Sequence, residues 1–108
     1  MRRARFVHTL DFAWIEVLSV FRRKLYRDEL AEERARAALT LLDQTPIRRH
    51  RASPFAGRVW QLRGALSPYD AAYVALAETL SAPLLTTDAR LARAGGHSAA
   101  IVDASGPR

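Results

Sequence analysis

Apolar residues recur at helical spacing in the first half of the chain, and short strand-like runs separate the helical stretches. Residues 5–10 predict a short strand. Residues 11–26 predict a helix with Asp11 as its N-cap. At about 100° per residue, Phe12, Glu16, Ser19 and Arg23 share one narrow face. The remaining positions through Phe21 are Ala13, Trp14, Ile15, Val17, Leu18 and Val20, the pattern of a buried helix. Glu16 then lies on a thin polar stripe, where it faces solvent, pairs with Arg23 or holds a cation, because an unpartnered buried carboxylate is costly. Asp28 and Glu29 make a turn, and residues 30–43 predict a second helix with Ala35, Ala38, Leu39 and Leu42 on one side. Its opening acids, Glu32 and Glu33, suit the helix dipole, and Pro46 stops it. Residues 47–51 are either a basic edge strand, guarded against strand addition, or a loop.

Residues 54–63 predict a short helix carrying Phe55, Val59 and Leu62, closed by Gly64. The densest signal follows. Ser67 is a good N-cap, Pro68 fits the first helical position, and Asp70 completes an S-x-x-D capping box. Tyr69, Ala72, Tyr73, Leu76 and Leu80 give this helix its apolar side. Pro83 bars continuation, residues 83–87 read as a buried strand, and Asp88 stands where the chain leaves it. A brief helix over residues 89–94 ends at Gly95-Gly96, residues 99–102 form a last strand, and residues 104–108 fray. Helices alternating with short apolar strands predict an α/β fold with a parallel sheet. Asp70 thus opens a helix, where the dipole favours negative charge. Asp88 ends a strand, where open α/β sheets place ligands. The same spacing also fits Asp70 as a cap alone and Asp88 as the start of the next helix.

Composition narrows the function classes. With 108 residues the chain forms one domain around a single core, and 49% hydrophobic with 26% charged residues is ordinary for a soluble protein. The absence of cysteine excludes disulfide and thiolate–metal chemistry and fits a reducing cytoplasm. His8, Asp11 and Glu16 interrupt the N-terminal apolar run, so it is no signal peptide, and no stretch is apolar enough to span a membrane. The net charge of +6, supplied almost wholly by arginine, favours polyanionic partners such as nucleic acid. His8, His50 and His97 have no metal-ligand spacing, and no G-x-S-x-G, glycine-rich phosphate loop or H-E-x-x-H occurs.

The stretch L-S-P-Y-D-A-A-Y-V-A-L-A-E, followed by A-P-L-L-T-T-D-A-R-L-A-R-A, resembles the C-terminal half of PIN-domain proteins, in particular VapC-type toxins. The match is dense over residues 66–94 and weaker back to about residue 6. F-A-W-I-E-V-L-S-V-F-R-R is similar to the family's second acidic motif. The resemblance implies a PIN-like parallel sheet flanked by helices, with residues 1–98 and a last strand at about 99–103 in one domain. It implies a metal-dependent endoribonuclease in which Glu16, Asp70 and Asp88 are the catalytic and metal-holding residues. Thr86 and Thr87 would support them by orienting a water or phosphate. Such a carboxylate cluster suits Mg²⁺ or Mn²⁺ and relieves its own repulsion only around a cation. RNA is the implied substrate, with Arg22, Arg23, Arg48 and Arg49 as phosphate contacts, and a cognate antitoxin and a second copy are the implied protein partners.

One departure stands out. The usual opening strand and its acid are missing, which implies a shortened domain. Ile101-Val102-Asp103-Ala104-Ser105 spells a similar motif at the other end, by coincidence or as a permuted fourth acid. The alternative function is therefore a catalytically weak or inactive PIN-like domain that binds RNA or an antitoxin without cleavage.

Overall fold

Val7 to Leu10 forms the first strand, β1 (Val7–Leu10), and it pairs in parallel with β2 (Ile47–His50). In the computed structural model, residues 7–86, 91 and 95–103 are described, and they fall into two units, Met1–His50 and Arg51–Arg108. Two helices connect the strands of the first unit: α1 (Ala13–Tyr26) and α2 (Glu32–Gln44). A parallel pair needs such a crossover, because a tight turn can only reverse the chain. The register runs from Val7 opposite Ile47 to Leu10 opposite His50, and Leu10 is wholly buried. This settles residues 47–50 as a strand.

Asp11 is not the cap of α1. The helix starts after Phe12 without a side-chain cap, and the Asp11 N–H instead donates to His50 O at 2.8 Å, carrying the strand ladder one bond further. Nor is α1 a buried helix. None of its residues is buried, and Trp14 and Ile15 are 52% and 54% exposed. An apolar surround predicts burial only if enough neighbouring elements exist to cover it. Asp28 turns the chain toward α2 with φ 57°, a left-handed conformation that aspartate tolerates better than most residues. Ala35 is the buried residue of α2, while Leu39 and Leu42 are half-buried and Ala38 is exposed.

The second unit packs around a different helix. A 3₁₀ turn (Ser53–Phe55) leads into α3 (Ala56–Gln61), then α4 (Pro68–Leu80), β3 (Leu84–Thr86) and β4 (Ile101–Asp103). Gly64 does not close α3. The helix ends at Leu62, whose N–H bonds back to Arg58 O and Val59 O. The Ser67 cap of α4 forms as expected, its hydroxyl accepting from the Asp70 N–H at 3.2 Å. Burial on α4 is broader than the stripe that spacing suggests. Ala71, Ala72, Val74, Ala75, Leu76 and Ala77 are all buried, while Tyr69 is 62% exposed. Four alanines let neighbouring segments approach closely, so this helix has two buried sides.

Leu62, Leu66, Ala71, Val74 and Leu91 form the core, with Val59, Leu84, Ala99 and Ile101 packed against it. At its far end α4 stops on Ser81 with φ 51°, and Ala82 N–H reaches back to Ala77 O, a left-handed closure that frees Pro83 to start the extended run. β3 and β4 pair in parallel, Leu84 opposite Ile101 and Thr86 opposite Asp103, and Leu84 N–H donates to Ala100 O. The last strand therefore starts two residues later than its apolar run suggests. Both units carry the parallel strands and flanking helices expected of an α/β protein.

Candidate functional site

Local sequence places most candidate side chains at element ends. Glu16 sits in the first turn of α1, half-buried, where its negative charge faces the positive end of the helix dipole. Arg22 and Arg23 are exposed toward the end of the same helix, and the Arg22 guanidinium lies 4.7 Å from the centre of the Tyr26 ring. Arg48 and Arg49 are exposed on β2. Asp70 is half-buried in the first turn of α4, positioned by the Ser67 cap and the Pro68 start. Thr86 closes β3, its backbone paired in register with Asp103 of β4.

Asp88 and Thr87 fall outside the described residues. Glu16 belongs to the first unit and Asp70 to the second. Among the described residues no group of three or more histidine, aspartate or glutamate side chains could hold a metal ion. The carboxylates of Glu16 and Asp70 are the hard oxygen donors that Mg²⁺ or Mn²⁺ prefers. What the structure does bring together is the carboxyl ends of β3 and β4, where Thr86 and Asp103 are register partners.

Sequence reading missed Glu78. Its carboxylate accepts two bonds from Arg58, Nε to Oε1 and Nη2 to Oε2, each 2.8 Å. It also accepts from the Ser98 N–H at 2.8 Å and the Ser98 hydroxyl at 3.2 Å. The bidentate Arg58 bonds, with help from Ser98, hold its pKa down to about 2 against the opposing effect of burial. Glu78 thereby ties α3, α4 and the segment before β4 together. Helical spacing identifies Glu78 only as the polar edge of an apolar helix, because both partners lie twenty residues away.

The second surprise is His8 and His50, whose ring nitrogens Nδ1 and Nε2 meet at 2.9 Å across β1 and β2. They are 42 residues apart in sequence, and only the strand register joins them.

The chain belongs to the PIN-domain family, whose pattern it matches over residues 2–97. Among its relatives, Ribonuclease VapC12 of Mycobacterium tuberculosis is 36% identical over 99 residues, which cover 92% of this chain and 77% of that protein. Ribonuclease VapC1 of the same species is 48% identical over 90 residues, covering 82% of this chain and 65% of the relative. VapC ribonuclease Mb0985 of Mycobacterium bovis is 40% identical over 80 residues, 74% of this chain and 63% of the relative. The chain thus spans between about three fifths and three quarters of these relatives' length. No helix among the described residues is long and apolar enough to cross a membrane.

Proposed function

We infer that this chain is a metal-dependent endoribonuclease of the VapC toxin class, cleaving RNA phosphodiester bonds and restrained by a cognate antitoxin. The observation that carries this reading is the PIN-domain match over residues 2–97, supported by relatives that are themselves named ribonucleases. In this reading residues 1–98 and the last strand form one PIN-like domain, and a second copy completes a dimer.

Glu16, Asp70 and Asp88 would hold a Mg²⁺ or Mn²⁺ ion, directly or through water. When bound, such an ion would supply activation of water and neutralisation of charge at the phosphate. Asp70 suits this role because the Ser67 cap and Pro68 fix the first turn of α4, so its side chain starts from a defined backbone position. Thr86 ends β3 and Thr87 follows it in sequence, and a threonine hydroxyl would suit orienting a phosphate or the attacking water. Arg22, Arg23, Arg48 and Arg49 supply exposed guanidinium groups for the RNA backbone.

A second reading, binding without efficient cleavage, draws on the sheets themselves: each has only two strands among the described residues. One assay separates the two. Single-stranded RNA is incubated with the purified chain and Mn²⁺ or Mg²⁺, with and without a chelator. The nuclease reading expects metal-dependent cleavage that falls at least about 100-fold in Asp70→Asn and in Asp88→Asn. Cleavage unaltered in the double variant refutes the carboxylate assignment. RNA binding with no cleavage under any metal favours the second reading.

A further inference from the structure

We propose that His8 and His50 form a two-imidazole site for a first-row transition ion that prefers nitrogen donors, with Zn²⁺ and Cu²⁺ as the ligand class. The inference is independent of the carboxylate reading above and uses none of its residues.

The parallel register sets His8 opposite Arg48 and Leu10 opposite His50. Side chains alternate along a strand, so His8 and His50 lie on one face as diagonal neighbours. Their rings are tilted 35° to one another with centres 5.1 Å apart, and the facing nitrogens are 2.9 Å apart. Between two imidazoles that distance is a hydrogen bond, in which one ring donates the single shared proton and the other accepts it. The same two nitrogens are the atoms through which histidine binds metals. Replacing the shared proton by an ion with Zn–N bonds of about 2.0–2.1 Å in tetrahedral geometry needs the nitrogens about 3.4 Å apart. The nitrogens need to part by about half an ångström, and each ring must tilt so that its lone pair points at an ion lying off the line between them. Both side chains are half-buried, and each is carried on a strand rather than on a loop, so the pair is already close to a chelating arrangement.

The donor set decides which ion binds. Imidazole suits zinc, copper and nickel, whereas Mg²⁺ seeks carboxylate, carbonyl and water oxygens. Arg48 on the same face, with Arg49 and Arg51 adjacent in the chain, opposes a cation and holds the affinity below that of a three- or four-residue site. Water completes the coordination. An ion held here staples β1 to β2 across the two-helix connection and stabilises the folded first unit, because the unfolded chain cannot present the two rings together.

The test uses the whole chain and Cu²⁺, read by pulsed electron paramagnetic resonance, which counts coordinated imidazoles. The expected result is two imidazoles on one ion in the unsubstituted protein. His8→Gln and His50→Gln should each reduce the count to one and weaken binding at least about tenfold. His97→Gln should change nothing, since His97 Nδ1 accepts from the Ala99 N–H at 3.1 Å and its Nε2 is buried away from solvent. Excess Mg²⁺ should not displace the copper, and Asp70→Asn should keep the two-imidazole signal whatever it does to RNA cleavage. A count of one or none in the unsubstituted protein, or a count of two that persists in His8→Gln, overturns the proposal. A count of one or none on the unsubstituted protein overturns the proposal even if a variant fails to fold.

Discussion

Glu78 shows at the residue scale how one carboxylate can organise a unit that no local pattern marks. It collects Arg58 from α3 and Ser98 from the segment before β4 while sitting on α4. Glu78→Gln removes a charge-assisted pair and should destabilise the chain by roughly 2 kcal/mol near neutral pH. The pH dependence follows from the sign of the shift. The folded carboxyl titrates at about 2, below its ordinary value of 4.5, so the unfolded chain takes up the proton first as pH falls. The stabilisation is complete above about pH 5 and is lost between there and about pH 2. Melting temperatures of the unsubstituted and Glu78→Gln chains should converge over that window, and a constant gap would show that the pair is not what Glu78 contributes. Legibility at this scale divides by distance along the chain. The Ser67 cap is readable because its partner is three residues away, whereas the Arg58–Glu78–Ser98 and His8–His50 contacts exist only after the fold has formed. Asp70 could be singled out because it lies in that same local cap.

Element existence was legible, since periodicity and proline positions locate the four α-helices and four strands among the described residues to within a few residues, the helix expected over residues 89–94 lying outside them. Element burial was not. Residues 11–26 read as the buried helix, yet α1 has no buried residue, while α4 buries six. The reason is that periodicity reports which side chains are apolar and not how many neighbours can reach them. The large residues Trp14, Ile15 and Leu18 need a thick cover, whereas the alanines of α4 are covered by whatever packs closely. This difference should be measurable. Ala71→Leu forces extra volume into a site with no exposed surface and should cost about 1–3 kcal/mol in chemical denaturation. Ile15→Ala, at a position 54% exposed, should cost less than about 1 kcal/mol. Ser67→Ala should cost about 1 kcal/mol through the lost cap. If Ile15→Ala proves the most damaging of the three, α1 is covered in solution and the contrast between the helices is wrong.

The whole molecule is set by its charge and by the number of strands in each sheet. With a net charge of +6, RNA binding should weaken steeply as salt rises, because each phosphate contact releases counterions; a salt-independent affinity would remove the arginines from the account. The sheets bear on activity. β1 and β2 form one pair and β3 and β4 another, and each stops at two strands among the described residues. Parallel sheets are normally larger and covered on both faces, and a two-stranded pair is marginal in water. The first unit also has little core among its described residues, Leu10 and Ala35 being the buried apolar ones. A short sheet satisfies its backbone N–H and C=O groups by acquiring a strand, from another copy, from an antitoxin or from added chain. The chain of residues 1–108 should therefore dimerise or aggregate at micromolar concentration and cleave RNA feebly. Adding a strand-forming segment that pairs with either two-stranded sheet should yield a monodisperse protein, raise the melting temperature by several degrees and increase metal-dependent cleavage by an order of magnitude or more. Light scattering and a cleavage time course on the two forms decide it. A monomeric chain of residues 1–108 with brisk metal-dependent cleavage, abolished by Asp103→Asn, would mean that β4 already supplies the fourth acid and that no strand is wanting.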